Sequence, residues 1–513
     1  MGAQLTPEAL DDAEAAGNHP LSEEDQLVRR SLRYAFVLAW IVAALLPGGL
    51  PAQQQGSGHP RVVESLRLLD AWLEAEQAYE MLPGISIAIA SDDGLVWAKG
   101  YGHADVEQRV PASPTTRYSG CSIAKLFTAT AIMQLRDAGK LRLEDSIEEY
   151  LDWLRLRPSE GSAISIANLL THSSGIVRDL PGAYWTGPAY PFPSHDAIVR
   201  SGGPEWIHAP PGARYEYSNV GMTLAGDIVT RVSGVPYEEY VRQHIFTPLG
   251  MRSSSIAPTD PGEQPDLAQG YTLLQRDGTR QRVPSYQVRA LAPVAGLVST
   301  VEDLARFASW QLRVLAGRQE GVLQRTSLAA MHRIQFMPAD SWTTAGYGYQ
   351  IWRENDRTFV GHAGTCPGFQ GQILLRPQDR IATVVMINAQ GVSPNRYTQR
   401  AYDIMAPALR AARATAATGS QDTAATATLE QLAGLYRRPL GSEILVVPWQ
   451  GSLAVVGLPT ANPLSSLETF DPIGNGRFRR SGARPDGAEI IEFKTDADGL
   501  RLWRGHQFWV HTR

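Results

Sequence analysis

Cysteine is nearly absent from this chain, which has only Cys121 and Cys366 in 513 residues. A small fold stapled by many disulfides is thereby excluded, and two cysteines so far apart lack the ligand spacing of a zinc site, so no metal is expected. An excess of one charge is also missing. The formal net charge is −5, yet seven acids (Glu8, Asp11, Asp12, Glu14, Glu23, Glu24 and Asp25) fall within residues 1–28, which hold no Lys or Arg. The remainder is close to neutral, which gives no electrostatic reason to expect nucleic acid as a partner. No apolar run is long enough for an ordinary membrane span. The run from Tyr34 to Leu46 falls short of the roughly 20 residues that cross a bilayer as a helix.

That run has its own signature. Arg29, Arg30 and Arg33 precede it, and Pro47, Gly48, Gly49 and the small-residue end Leu50-Pro51-Ala52 follow it. This is the order of a secretory signal peptide over residues 29–52, with export to the periplasm or medium as the expectation. Signal peptides begin at an N-terminus, so residues 1–28 read as a miscalled or disordered acidic extension. Membrane attachment is expected only through residues 29–52, where that segment stays uncleaved.

Hydrophobic residues make up 43% and charged residues 19% of the chain, as in ordinary globular proteins. The length exceeds what one core usually organises, so two or more domains are expected. Residues 61–80 carry apolar positions at helical spacing. Ile85 to Ala90 and Leu95 to Ala98 flank Asp93-Gly94 and read as a hairpin. Ser122 opens a helix that stops near Gly139. Residues 358–361, 371–375 and 381–387 read as three further strands. The predicted fold class is α/β, one antiparallel sheet completed by both ends of a domain spanning 60–408, flanked by helices and joined to a mainly helical subdomain. Residues 409–428, rich in Ala, Thr, Gly and Ser, read as a linker or a mobile helix end. Short β-like runs at 443–447, 453–456, 490–493, 500–503 and 508–511 predict a small all-β domain over 429–513.

Ser122 and Lys125 are three residues apart at a helix start, so their side chains share a face. A serine hydroxyl is a poor nucleophile near neutrality, and a buried lysine with a depressed pKa can take its proton. Taken alone, Ser-x-x-Lys is equally the pattern of an N-cap serine with a solvated lysine. Its company adds specificity. Tyr217-Ser218-Asn219 follows the turn Pro210-Pro211-Gly212, and Gly361-His362-Ala363-Gly364 follows a strand-like run.

Those three motifs, in that order, resemble the serine β-lactamase and penicillin-binding superfamily, in particular its class C and D,D-peptidase branch. Leu169 to Ile176, Gly296 to Thr300 with Glu302-Asp303-Leu304, and Tyr347-Gly348-Tyr349 resemble supporting blocks of that branch. The resemblance covers roughly residues 60–405. It implies that Ser122 forms an acyl-enzyme while Lys125 and Tyr217 pass its proton to the leaving group. Asn219 is implied to hold the substrate amide and orient Lys125, with His362 and Gly364 on a strand edge beside the substrate. The backbone N–H groups of Ser122 and Thr365 are the implied oxyanion hole. His172 is assigned a structural role, a hydrogen bond at a helix end.

Many β-lactamases have Lys where this chain has His362, so the resemblance leans towards peptidases and esterases of the branch. The expected substrate is a small molecule or peptide carrying a D-amino-acid peptide, amide or ester bond, without a cofactor. A class C-like β-lactamase and a penicillin-binding sensor without turnover are the alternatives. Tyr184, Trp185, Tyr190 and Phe192 either wall the cleft or pack their own loop. By resemblance to class A carbapenemases, Cys121 and Cys366 are expected to form a disulfide. Otherwise they are two small buried apolar residues. The residues opening at Leu432-Ala433-Gly434-Leu435-Tyr436 resemble small lipocalin-like barrels appended to members of this branch.

Overall fold

The computed structural model describes residues 58–156, 163–256, 266–319, 321–337, 344–354, 356–418, 429–483, 488–497 and 499–512. The acidic extension and the predicted signal peptide lie outside the described residues. Residues 54–513 form one compact unit. No helix among the described residues is long and apolar enough to cross a membrane.

The main sheet is built from β1 (Gly84–Ser91), β2 (Gly94–Asp105), β3 (Val110–Pro111) and five later strands. A small separate sheet consists of β4 (Tyr118–Cys121), β5 (Ser255–Ile256) and β6 (Leu297–Ser299). The main sheet then resumes with β7 (Thr344–Ala345), β8 (Gln350–Glu354), β9 (Arg357–Cys366), β10 (Phe369–Arg376) and β11 (Ile381–Ile387). Its order is β3-β2-β1-β11-β10-β9-β8-β7, all antiparallel. The two ends of the domain therefore meet at β1 and β11, where Ile87 faces Val385.

Strand β1 is buried on both faces, which is why its sequence is continuously apolar apart from Ser86 and Ser91. Ile85, Ile87 and Ile89 face one core with residues of α1 (Pro60–Tyr79) and α5 (Pro394–Thr418). Ala88 and Ala90 face the other core. The period-2 alternation thus assigns large side chains to one layer and small ones to the other. The second core also holds α2 (Ala124–Asp137), α3 (Asn219–Ser233) and α4 (Val301–Leu315). Thr300 caps α4 through the Asp303 N–H, a common helix-start device.

Helix α5 runs on to Thr418, past residue 409, where the composition reads as a linker or a mobile helix end. Alanine is the best helix former, and Ala408 and Leu409 are buried against the sheet side. Residues 419–428 lie outside the described residues.

The C-terminal strands are β12 (Gly434–Arg437), β13 (Glu443–Trp449), β14 (Ser452–Leu458), β15 (Leu467–Gly474), β16 (Arg477–Arg480), β17 (Ile490–Asp496), β18 (Gly499–Arg504) and β19 (Gln507–His511). They close into an antiparallel barrel in chain order, with β12 paired to β19. Tyr436, Phe470, Phe478, Phe493, Leu502 and Trp509 are among the side chains that form its own buried core. On β13 and β14 both faces are apolar. Ile444 and Val446 join the barrel core, whereas Leu445 and Val447 join the core shared with α1 and α5. Polar contacts reinforce this junction, including Trp72 Nε1 to the Thr460 carbonyl at 2.9 Å and Tyr79 to Glu443 at 2.9 Å. Strands β15 and β16 were not among the predicted runs, because their outer faces are largely exposed and dilute the apolar signal, and β12 entered only as the Leu432–Tyr436 opening.

Since Leu445 is buried in the shared core, Leu445→Ala is expected to cost about 2–5 kcal/mol. Chemical denaturation followed by tryptophan fluorescence measures this loss.

Candidate active site

Strand β4 delivers Ser122. It pairs with β6, Tyr118 opposite Ser299 and Cys121 opposite Leu297. At Cys121 the backbone takes φ +48°, the left-handed region that costs a non-glycine residue about 1–3 kcal/mol and recurs at functional sites. The chain turns there so that Ser122 precedes α2 and keeps partial exposure, while Lys125 is fully buried.

The Lys125 amine lies 3.0 Å from Ser122 Oγ, 2.8 Å from Asn219 Oδ1 and 3.3 Å from the Val294 carbonyl. Burial drives its pKa well below the ordinary lysine range; Asp179 opposes that shift and Arg178 adds to it. A neutral amine has two N–H groups and one lone pair. Asn219 Oδ1 and the Val294 carbonyl are both acceptors only, so they take the two N–H groups. The lone pair is left for the Ser122 hydroxyl.

Tyr217 and Asn219 stand at the start of α3. Ser218 caps this helix by accepting from the Gly221 N–H at 2.7 Å, and donates to the Val177 carbonyl at 2.7 Å. The segment around His172 holds the turn from the other side. His172 Nδ1 accepts from the Ser218 N–H at 3.1 Å, its ring lies 4.3 Å from that of Tyr217, and its carbonyl accepts from the Glu216 N–H at 2.7 Å. Burial, reinforced by Lys125, pushes the His172 pKa well down, so the ring is neutral and free to accept. The predicted helix-end role of His172 is therefore specific, because it fixes the turn bearing Tyr217. Burial raises the Tyr217 pKa, opposed by its hydrogen bond with Ser122. Tyr217 consequently stays a phenol near neutrality.

Strand β9 forms the facing wall. Its pairing with β8 ends at Gly361, whereas its pairing with β10 continues to Cys366. Residues 362–366 thus present an edge that β8 does not cover. His362 is buried there, and burial above all lowers its pKa to about 3, with Lys125 acting in the same direction whenever it is protonated. Nδ1 lies 2.5 Å from the Ala363 carbonyl. A carbonyl only accepts, so Nδ1 carries the proton and Nε2 is a buried acceptor without a hydrogen-bond partner. The His362 and Tyr217 rings are 6.1 Å apart.

Gly364 is required by approach. A Cβ there would meet the Gly120 carbonyl oxygen at 2.3 Å, so only glycine lets β9 run this close to the nucleophile's strand. Two residues on, Cys366 is disulfide-bonded to Cys121 across a sequence separation of 245, with Cα atoms 5.6 Å apart. The bond joins the neighbours of Ser122 and of the exposed Thr365, the two residues whose N–H groups were predicted to form the oxyanion hole.

The structure brings together Ser122, Lys125, Tyr217, Asn219 and His362. Sequence reasoning missed three participants: the Val294 carbonyl, Arg178 and Asp179. Asp179 Oδ1 accepts from Asn219 Nδ2 at 2.8 Å, Trp185 Nε1 at 3.1 Å and the Tyr184 hydroxyl at 3.2 Å. Arg178 Nε lies 3.3 Å from Asp179 Oδ2 and its guanidinium 4.9 Å from the Tyr217 ring centre. The sequence signal was proximity to the family-like blocks: Arg178 and Asp179 lie two and three residues after Leu169–Ile176, and Val294 lies two residues before Gly296. Tyr184, Trp185, Tyr190 and Phe192 pack on one another and on Tyr286. Tyr184 and Phe192 are buried, so loop packing describes them better than a cleft wall.

Gly364→Ala is expected to push β9 away from β4 and slow covalent labelling by a fluorophosphonate on the order of 10²-fold. Stopped-flow or gel-based labelling measures the rate, and circular dichroism should show an unchanged fold.

The Beta-lactamase family profile matches residues 69–406, more than half of the chain. Protein flp of Staphylococcus aureus (strain MW2) is 28% identical over 337 residues, which span 63% of this chain and 63% of that protein. Among solved structures, the octameric penicillin-binding protein homologue from Pyrococcus abyssi superposes with a TM-score of 0.58 at 26% identity, covering 86% of this chain and 99% of that one. A Beta-Lactamase/D-Alanine Carboxypeptidase from Pseudomonas syringae gives a TM-score of 0.55 at 22% identity, covering 66% and 98%. The fold and its Ser-x-x-Lys pair thus have a family: the chain belongs to the serine β-lactamase and penicillin-binding hydrolase family.

Proposed function

We propose that this protein is an exported serine hydrolase that cleaves D-amino-acid peptide, amide or ester bonds through an acyl-enzyme on Ser122. The observation that carries the reading is the buried Lys125 amine, which lies 3.0 Å from Ser122 Oγ and has acceptors in Asn219 Oδ1 and the Val294 carbonyl.

In the first half-reaction Lys125 takes the Ser122 proton as Oγ bonds to the substrate carbonyl carbon. The resulting oxyanion is held by the N–H groups of Ser122 and Thr365. Collapse breaks the bond to the leaving nitrogen or oxygen, which receives the proton from Lys125 through the Tyr217 hydroxyl. Water then repeats the sequence on the acyl-enzyme and releases the acid. Asn219 Nδ2 has a second hydrogen for the substrate's carbonyl, and the uncovered β9 edge offers strand-like pairing to an extended substrate.

Support for peptide or ester substrates over β-lactams comes from His362. As a neutral ring with its proton on Nδ1, it gives a substrate carboxylate no charge to bind. The Pseudomonas syringae structure is named for both a β-lactamase and a D-alanine carboxypeptidase, so it accords with this reading and with the β-lactamase alternative alike. The Cys121–Cys366 disulfide is compatible with export.

Ser122→Ala should abolish fluorophosphonate labelling and lower hydrolysis of D-alanyl p-nitroanilide on the order of 10⁴-fold or more. A chromogenic cephalosporin should acylate the wild type slowly or stably, and rapid turnover of it would replace this reading by a β-lactamase.

Because the folded-state pKa of Lys125 is lowered, the base is present above that pKa and lost as pH falls through it. The acid limb of kcat/KM should therefore lie well below the ordinary lysine value of about 10.4. Lys125→Arg, protonated at all accessible pH, should show no active limb between pH 5 and pH 9 in the same assay, on the order of 10³-fold below wild type.

A further inference from the structure

The Lys125–Asn219 hydrogen bond raises a question of orientation, since a primary amide offers an acceptor on one side and donors on the other. Turned over, Asn219 would set its NH₂ against the lysine N–H groups and withdraw an acceptor. The lone pair would then have no fixed direction. What holds the amide is Asp179, whose Oδ1 accepts from Asn219 Nδ2 at 2.8 Å. A carboxylate only accepts, so the flipped amide would place oxygen against oxygen there. Both ends of the amide are thereby determined.

Asp179 is itself fixed. Trp185 Nε1 and the Tyr184 hydroxyl donate to the same oxygen, and Arg178 lies against the other. Tyr184 also accepts from the Leu180 N–H at 3.0 Å, closing the loop onto itself. These rings pack against Phe192, which stacks with Tyr286. Behind Tyr286 lies the nucleophile's wall, because its hydroxyl donates to the Pro367 carbonyl at 3.0 Å, next to Cys366. A continuous set of contacts thus runs from the β9 end through the aromatic loop to Asp179, Asn219 and Lys125.

We propose that Asp179 is a positioning residue for the hydrolytic reaction: it locks the Asn219 amide in the orientation that aims the Lys125 lone pair at Ser122, and couples that lock to the aromatic loop. The role rests on the proposed serine-hydrolase function. Asp179 acts through Asn219 and is separate from the groups that exchange protons. Its charge has a second effect on the same amine. Besides Asp179, the groups facing Lys125 are Arg178, Tyr217, His172 and His362, both imidazoles being neutral and Tyr217 a phenol. Asp179 alone among them raises the lysine pKa, and removing its charge leaves Arg178 unopposed.

The test is the rate of fluorophosphonate labelling from pH 5 to pH 9. Asp179→Asn should label about 10- to 100-fold more slowly near neutrality, and its acid limb should move to lower pH by about 0.5 to 1 unit. The direction follows because loss of the negative charge favours the neutral amine. Asp179→Glu keeps the charge and should leave the limb in place while labelling more slowly than wild type. Trp185→Phe removes one donor to Oδ1 without altering charge, and should slow labelling about 2- to 5-fold with the limb unmoved. A loop-packing role for Asp179 would lower thermal stability without moving the limb, so a melting curve accompanies each variant. An Asp179→Asn protein that labels like wild type at every pH would overturn the role. A wild type that does not label would instead overturn the hydrolase reading beneath it.

Discussion

A lysine amine removed from water is the constraint around which this active site is organised. Charged, it would be costly at full burial, and the surroundings lower its pKa rather than supply a close carboxylate partner. The acceptors that touch it are a side-chain amide and a main-chain carbonyl. Each comes from a different part of the chain, Asn219 from the start of α3 and Val294 from the short helix Ala292–Ala295 that precedes β6. The helical subdomain must therefore close on α2 before the amine is properly held. Packing and chemistry meet at one atom.

The second requirement is a close wall. Strand β9 runs beside β4 at a distance only Gly364 permits, and the Cys121–Cys366 bond fastens the two segments at the same level. The left-handed conformation at Cys121 lies between these restraints, where surrounding structure can sustain it. Electrostatic stabilisation depends on donors fixed before charge develops. A glycine contact, a covalent bond and a strained turn converge on the two segments from which the proposed donors come.

Much of this was legible in the sequence for a physical reason. Ser122 and Lys125 are related by helix geometry, a local property, and the β1–β2 hairpin follows from local alternation and its Asp93-Gly94 turn. The sheet joining β1 to β11 was legible because both runs are almost wholly apolar, Ser86, Ser91 and Thr383 aside, as interior strands tend to be. Asp179 was not legible, since its partners Trp185, Tyr184 and Asn219 are assembled by a loop whose path no periodicity reports. The extension of β9 through Cys366 was hidden by its glycines and histidine, which have weak strand preference. The barrel was half visible. Leu445 and Val447 face the shared core while Ile444 and Val446 fill the barrel, so β13 has a continuous apolar signal, whereas β15 and β16 face solvent. The shared core also explains why a compositional break near residue 409 did not separate two bodies: the barrel docks on α1 and α5, through polar contacts as well as apolar ones.

The buried amine also bears on substrate charge. Around Lys125, the histidine that stands in place of a lysine is neutral, and Asp179 contributes a negative group whose oxygens are occupied by Asn219, Tyr184, Trp185 and Arg178. A second fixed cation beside Lys125 would depress its pKa further and repel the ammonium that forms during acylation. A neutral His362 removes that repulsion, while its unprotonated Nε2 remains an acceptor in the site. In the proposed chemistry the same exchange that weakens recognition of a substrate carboxylate also eases proton uptake by Lys125. Arg178 remains as a cation, more than half exposed at its side chain and lying over the Tyr217 ring. Its charge is partly offset by Asp179, so in the proposed chemistry an extended substrate is held by backbone hydrogen bonds along β9 rather than by a salt bridge.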